Sequence, residues 1–133
     1  MTPSLSRYTV LNAMQVGVID CPPDADVPTL ARTMADHRIH CVVVQGESWG
    51  IVSDLDLMAS LRPGVTATAG ELAASDVVAV DPGDTLEHAA QLMAEHDTAH
   101  LVVVSPDTGR PVGILSTLDI ARWAATGLER RPE

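Results

Sequence analysis

The chain carries the stretch Gly50-Ile51-Val52-Ser53-Asp54-Leu55-Asp56-Leu57 and repeats it as Gly113-Ile114-Leu115-Ser116-Thr117-Leu118-Asp119-Ile120. Five of the eight positions are identical, and most of the others exchange one apolar residue for another. Self-similarity at a fixed spacing indicates two copies of one supersecondary unit. Because neither copy is large enough to bury its apolar face alone, we expect the function to lie between the copies.

Matches between the copies continue upstream of this stretch. At a separation of 59 residues the matched pairs are Val18/Val77, Pro23/Pro82, Ala31/Ala90, Met34/Met93, Ala35/Ala94, His37/His96, Val43/Val102 and Val44/Val103. The separation rises to 63 only between the second and third predicted strands, where a turn can absorb the additional residues. We therefore expect two repeats, at residues 8–62 and 68–126.

Each copy has the same predicted order of elements, β-α-β-β-α, preceded by a short helical lead-in. Apolar residues at i, i+3, i+4 and i+7 indicate an amphipathic helix, and continuous valine indicates a strand covered on both faces. Asp26 and Thr85 occupy the expected N-cap positions of the first helices. The predicted lead-ins are residues 9–14 and 68–74, the first strands Val16–Cys21 and 76–80, the second strands 41–44 and 101–104, and the third strands 49–52 and 112–115.

Composition narrows the classes of partner. The net charge is −10, all basic residues are arginine, and the aromatic residues are Tyr8, Trp49 and Trp123. An acidic surface without a stacking platform argues against nucleic-acid binding. No secretory signal and no apolar run of membrane-spanning length is recognisable, so we expect a cytoplasmic protein with no membrane partner. Cys21 and Cys41 lie in apolar runs and are expected to be buried, reduced thiols.

In each copy a serine directly follows an apolar strand and an aspartate comes three residues later. Ser53-x-x-Asp56 and Ser116-x-x-Asp119 match a capping box, in which a hydroxyl and a carboxylate satisfy the first N–H groups of a helix. The same turn offers N–H donors to a phosphate and a carboxylate to ribose hydroxyls. The pattern alone favours the cap, whereas its repetition favours a binding role, and the two roles are compatible.

With their Val-rich second strands and Met-x-x-His helix ends, the two copies resemble a tandem pair of cystathionine-β-synthase-type (CBS) domains, often called a Bateman module. The resemblance runs from about Thr9 to Ala125 and rests on the motif Gly-apolar-apolar-Ser-x-x-Asp-apolar, present twice. It implies an α+β fold of two β-α-β-β-α repeats, packed through their sheets with pseudo-two-fold symmetry. It also implies two clefts that take adenosine-containing ligands.

The resemblance further implies which residues meet the ligand. The motif aspartates would contact the ribose, and the motif serines the phosphate or the ribose. One cleft would join the second Ser–Asp turn to Val18 and Ile19, and the other would join the first turn to Val77 and Val78. The full expected set is Val18, Ile19, Arg38, His40, Ser53, Asp56, Val77, Val78, His100, Ser116, Asp119 and Arg122, with Cys41 and Ala99 at its border.

The family ligands AMP, ADP, ATP and S-adenosylmethionine are all candidates, and no cofactor is expected to be required. Arg38 and Arg122 are the cations expected near the clefts, with His40 and His100 as weaker donors. So few positive charges favour a monophosphate or an uncharged adenosyl ligand over a triphosphate.

We expect no metal site, because the histidines and cysteines do not recur as a matching ligand set in the two copies. We also expect no catalysis, because no nucleophile–base pair is recognisable. A regulatory homodimer is expected, in which Trp123 either fills the core or anchors the interface. The alternative function is a ligand-free module for dimerisation or for docking on an unknown protein partner.

Overall fold

The computed structural model describes residues 5–46, 48–64, 66–73 and 77–126. The chain divides into two units, each with its own sheet. The central unit is Val18–Val77, and the terminal unit combines Met1–Gly17 with Val78–Glu133. No helix within the described ranges is long and apolar enough to cross a membrane.

Helices and strands are interspersed along the chain, which confirms the mixed α and β fold. After a 3-10 turn at Leu5–Arg7, the helices are α1 (Val10–Ala13), α2 (Val27–His37), α3 (Asp54–Ser60), α4 (Ala69–Leu72), α5 (Leu86–His96) and α6 (Thr117–Thr126). The strands are β1 (Gln15–Val16), β2 (Asp20–Cys21), β3 (Cys41–Val44), β4 (Gly50–Ser53), β5 (Ala79–Val80), β6 (His100–Val104) and β7 (Pro111–Ser116).

The central unit has a three-stranded sheet in the order β2-β3-β4. Strand β2 runs parallel to β3, and β3 runs antiparallel to β4 with Cys41 opposite Ser53. All four residues of β3 are buried, as the continuous valine run predicted. Helix α2 buries Leu30 and Met34 in the core, which confirms the predicted apolar stripe.

The terminal unit has a four-stranded sheet in the order β1-β7-β6-β5. Strand β5 is parallel to β6, whereas β7 is antiparallel to both of its neighbours. Its core contains Leu86, Leu101 and Leu115, which are completely shielded from solvent. Burying one such side chain stabilises a fold by about 1.5–3 kcal/mol, so these leucines are major contributors.

The two predicted N-caps form hydrogen bonds at the starts of α2 and α5. The Asp26 carboxylate accepts a hydrogen bond from the Thr29 N–H (2.9 Å) at the start of α2. The Thr85 hydroxyl accepts one from the His88 N–H (3.1 Å) at the start of α5. Both N-cap predictions are therefore confirmed.

The lead-in helix of each sequence copy packs on the core of the other copy. Helix α1 belongs to the terminal unit and α4 to the central unit, and each is joined to its core by two matching backbone hydrogen bonds. The bonds are Val10 N–H to Asp84 O (2.8 Å) and Leu11 N–H to Pro82 O (3.0 Å) in the terminal unit, and Ala69 N–H to Ala25 O and Gly70 N–H to Pro23 O (both 2.8 Å) in the central unit.

The exchange corrects one sequence prediction. The single strand predicted over Val16–Cys21 is two strands, with β1 in the terminal sheet and β2 in the central sheet. Gly17 lies between them with φ of +88°, a left-handed conformation that glycine adopts without steric cost and that interrupts a strand. In the second copy, β5 begins at Ala79, and residues 74–76 lie outside the described residues.

Candidate functional site

The Ser53–Asp56 turn of the central unit joins the end of β4 to the start of α3. The Ser53 hydroxyl accepts a hydrogen bond from the Asp56 N–H (3.2 Å). In return, Asp56 Oδ2 accepts from the Ser53 N–H (3.0 Å) and from the Ser53 hydroxyl (2.9 Å). The motif is thus a reciprocal capping box, as its pattern predicted.

The Ser116–Asp119 turn of the terminal unit joins β7 to α6 in the same manner. The Asp119 N–H donates to the Ser116 hydroxyl oxygen (3.2 Å), and the Ser116 N–H donates to Asp119 Oδ2 (2.9 Å). Unlike its counterpart, Asp119 also receives a hydrogen bond from Gln15 Nε2 at its other oxygen, Oδ1 (3.0 Å). Asp119 is only 5% exposed.

Several expected ligand-binding residues gather at one end of the central sheet. Ile19 follows Val18 into β2, and its carbonyl accepts a hydrogen bond from the Val43 N–H (2.9 Å). His40 immediately precedes β3, whose first residue lies opposite Ser53. The Ser53–Asp56 turn, His40 and the entrance to β2 therefore share one end of the sheet.

The terminal unit repeats this arrangement. The Val78 carbonyl accepts a hydrogen bond from the Val102 N–H (3.1 Å), and His100 lies opposite Ser116 at the start of β6. Val78 thus shares a sheet end with the second Ser–Asp turn, whereas Val77 belongs to the central unit. The pairings across the copies that the family resemblance implies remain predictions.

Charged groups distinguish the two turns. His40 Nδ1 lies 3.0 Å from Asp54 Oδ2, and the Asp54 N–H donates to the His40 carbonyl (2.8 Å). The terminal unit keeps the backbone bond, from the Thr117 N–H to the Ala99 carbonyl (2.9 Å), but has neither ionisable side chain at these positions. Because the His40–Asp54 pair is well exposed, its effect on stability is small. The main difference is that the ionisable His40 and Asp54 side chains lie beside the first turn, whereas uncharged Ala99 and Thr117 lie beside the second.

The two expected arginines occupy different settings. Arg38 is exposed and ends α2 in the left-handed region, with φ of +54°. Its counterpart after α5 is Asp97, with φ of +48°, so the positive charge is not repeated. Arg122 lies on α6 and is also exposed. The central unit therefore contains Arg38, directly after α2, and the terminal unit contains Arg122, within α6.

Burial governs the chemistry of the two free cysteines. Desolvation raises the pKa of the Cys41 thiol to about 11, and the Asp54 carboxylate adds to the shift. Desolvation also raises the pKa of the Cys21 thiol, with a further contribution from Asp20. Thiols that stay protonated at neutral pH are weak nucleophiles and weak metal ligands. Across the described part of the chain, no group of three or more His, Cys, Asp or Glu side chains could hold a metal ion.

Trp123 packs inside the terminal unit. Its ring centroid lies 4.6 Å from that of Tyr8, with the rings inclined at 50°, and both residues adjoin the main apolar cluster of the unit. This packing supports the core-filling interpretation of Trp123.

Sequence reasoning missed Gln15 as a residue of the site. One signal was present in the sequence: the matching position 59 residues later is Ala74, whose side chain has no polar group.

The CBS domain family model matches the chain twice, over residues 10–63 and 69–126. Hypoxic response protein 1 of Mycobacterium tuberculosis is 31% identical over 122 residues, which cover 86% of this chain and 83% of that protein. A crystal structure of Hypoxic Response Protein I with two coordinated zinc ions is 32% identical, with a TM-score of 0.67, and the match covers 86% of this chain and 97% of that one.

A crystal structure of CBSX2 in complex with AMP is 26% identical, with a TM-score of 0.74, and the match covers 92% of this chain and 99% of that one. The repeated motif, the two matching units and these similarities agree with one another. The chain therefore belongs to the CBS domain family and contains two CBS domains in tandem.

Proposed function

We propose that this CBS pair is a regulatory protein that binds an adenosine-type nucleotide, AMP or another adenosyl ligand, at one or both Ser–Asp turns. One observation carries the proposal: in both units, the same reciprocal Ser–Asp hydrogen bonding joins the last strand to the helix that follows it. The AMP bound in the CBSX2 structure supports the ligand class. The proposed role is binding without catalysis.

The chemistry of each turn suits a nucleoside phosphate. A carboxylate oxygen of Asp56 or Asp119 accepts hydrogen bonds from ribose hydroxyls, and the serine together with the first helical N–H groups faces the phosphate. Ile19 shares a sheet end with the first turn and Val78 with the second, whereas the family resemblance pairs each of them with the opposite turn. In either pairing their side chains offer apolar surface to the adenine. With a net charge of −10, the protein should bind AMP more tightly than ATP, because each added phosphate adds repulsion.

Regulation would follow from differential affinity. A ligand that binds the folded turn stabilises the conformation in which the turn is formed and so shifts the population toward it. At a ligand concentration of 100 times Kd, the added stability is about 2.7 kcal/mol. A thermal shift that grows with ligand concentration would therefore accompany binding.

Titration calorimetry of the full chain with AMP, ATP and S-adenosylmethionine tests the proposal directly. Asp56→Ala and Asp119→Ala should each remove or weaken binding at one turn. A matched control is Glu71→Ala, because Glu71 forms the same reciprocal box with Thr68 at the start of α4, outside both Ser–Asp motifs. The control should lose the stability of a cap, about 1 kcal/mol, and retain its affinity for the ligand.

The alternative is a ligand-free interaction module in which the Ser–Asp turns serve only as caps. In that case Asp56→Ala, Asp119→Ala and Glu71→Ala would all lose about 1 kcal/mol of stability, and the native protein would release no heat with any of the three ligands. That combined result would refute nucleotide binding.

We also propose that two copies of the chain associate through their second helices. Leu55 of α3 is 77% exposed, and Leu118 at the matching position of α6 is 54% exposed. Met58, one turn after Leu55, extends the exposed apolar face of α3. Repeated exposure of a large apolar residue favours a protein contact at these helices. Light scattering should report a dimer for the native chain and a monomer for Leu55→Glu, and a native monomer would contradict the assignment.

A further inference from the structure

The two motif aspartates are the same residue in the repeat, but only one is shown with a side-chain partner from outside its own turn. Asp119 Oδ2 accepts the Ser116 N–H (2.9 Å), and Asp119 Oδ1 accepts Gln15 Nε2 (3.0 Å). At Asp56, the bonds that form the turn converge on Oδ2 alone. Asp119 is also buried, whereas Asp56 is half-buried.

Backbone pairing holds Gln15 at this position. Strand β1 lies antiparallel to β7, with Gln15 opposite Ile114 and Val16 opposite Gly113, and the Gly17 N–H donates to the Val112 carbonyl (2.8 Å). The strand lies so close that a Cβ added at Gly113 would stand 2.5 Å from the Gln15 carbonyl oxygen. The exchanged lead-in therefore delivers the Gln15 amide to Asp119.

The Gln15 amide makes the hydrogen bond that a ribose hydroxyl would make. Both groups donate to a carboxylate oxygen, and a charged acceptor makes such a bond stronger than one between neutral groups. A ligand at the second turn must therefore compete with Gln15, which already fills one of the two acceptor positions of Oδ1. Gln15 is itself exposed, so its side chain has room to leave.

The residue that matches Gln15 in the second copy also indicates that the two turns differ. Residue 74 is alanine, whose methyl side chain can neither donate nor accept a hydrogen bond. The second lead-in therefore carries no side chain at this position that could occupy Asp56 in the way that Gln15 occupies Asp119.

We propose that Gln15 is a specificity-determining residue that occupies the ribose-accepting oxygen of Asp119 and makes the two nucleotide sites unequal. This inference rests on the proposed nucleotide binding and deepens it. The Ser53–Asp56 turn binds ligand first, and the Ser116–Asp119 turn binds it more weakly because Gln15 competes with the ribose for Oδ1. Loss of one charge-assisted hydrogen bond corresponds to about a tenfold weaker affinity at the second site.

The experiment is calorimetry with AMP on the full chain, with Asp56→Ala as the background that silences the first turn. In this background, Gln15→Leu removes the donor at nearly constant volume and should raise AMP affinity about tenfold. In the Asp119→Ala background, the same substitution should leave AMP affinity unchanged, because the blocked carboxylate is gone. Circular dichroism and thermal unfolding establish that each variant is folded.

The outcomes separate this proposal from the one on which it rests. If the native protein binds AMP and Gln15→Leu leaves or lowers the affinity of the Asp56→Ala background, the blocking role of Gln15 is refuted, while nucleotide binding stands. If neither the native protein nor any folded variant binds AMP, both proposals are refuted. If binding appears only after Gln15→Leu, the blocking role is supported in its strongest form.

Discussion

Gly113→Ala should destabilise the terminal unit because β1 leaves no space for a side chain there. The added Cβ would stand 2.5 Å from both the Gln15 carbonyl oxygen and Met14 Cε. Since ordinary contact begins at 3.4 Å, the backbone of β1 must retreat by about 0.9 Å. Overpacking of this kind costs about 1–3 kcal/mol, and for a chain of this size each kcal/mol lowers Tm by roughly 4 °C.

Calorimetric unfolding of the native and variant proteins measures this loss, with Gly83→Ala as a matched control. At Gly83 the nearest atom is a side-chain oxygen of Asp81, 3.3 Å from the added Cβ, so little change in Tm is expected. A Met14→Ala background separates the two obstacles, because it lacks the side-chain contact and keeps the backbone contact, so Gly113→Ala should still lower Tm relative to Met14→Ala alone. An unchanged Tm on Gly113→Ala, in the native protein or in the Met14→Ala background, would refute the proposed backbone obstacle.

Three further predictions concern the helix ends and a buried thiol. Arg38→Gly and Asp97→Gly should each raise the stability to thermal unfolding by about 0.5–1 kcal/mol, because glycine relieves a left-handed backbone conformation. Hydrogen bonds from Thr29 hold the pKa of Asp26 below its usual 3.8, so the native advantage over Asp26→Asn in urea unfolding should be full above about pH 4 and should disappear as the pH falls through the lowered pKa. Iodoacetamide should modify Cys41 slowly at pH 8 in the native protein and rapidly in urea, because burial keeps the thiol protonated.

Each of these predictions has a clear contrary result. A loss of stability in both glycine variants would show that the arginine and aspartate side chains contribute more than the strained backbone costs. A constant difference between native and Asp26→Asn protein from pH 2 to pH 7 would show that the carboxylate charge does not stabilise α2. Equal rates of Cys41 modification in buffer and in urea would show that the thiol is accessible in the folded state.

The sequence predicted most of the fold because local rules determine those elements. Continuous valine required a doubly covered strand, and β3 is buried throughout. The positions of Asp26 and Thr85 identified the starts of α2 and α5, where both side chains accept the expected N–H. The Ser–Asp turns were likewise predictable, because a capping box depends only on residues that are close in sequence.

The exchange of lead-ins could not be predicted from the same rules. Helix α1 and helix α4 belong to matching copies, and their N–H groups donate to carbonyl oxygens at equivalent positions of the two cores. No periodicity within residues 8–62 distinguishes packing on its own copy from packing on the other. The chain passes from one sheet to the other at Gly17, and a glycine in a short apolar run is compatible with a continuous strand as well as with a break. Gln15 was missed for this reason: its contact with Asp119 spans 104 residues and exists only because the lead-in is exchanged.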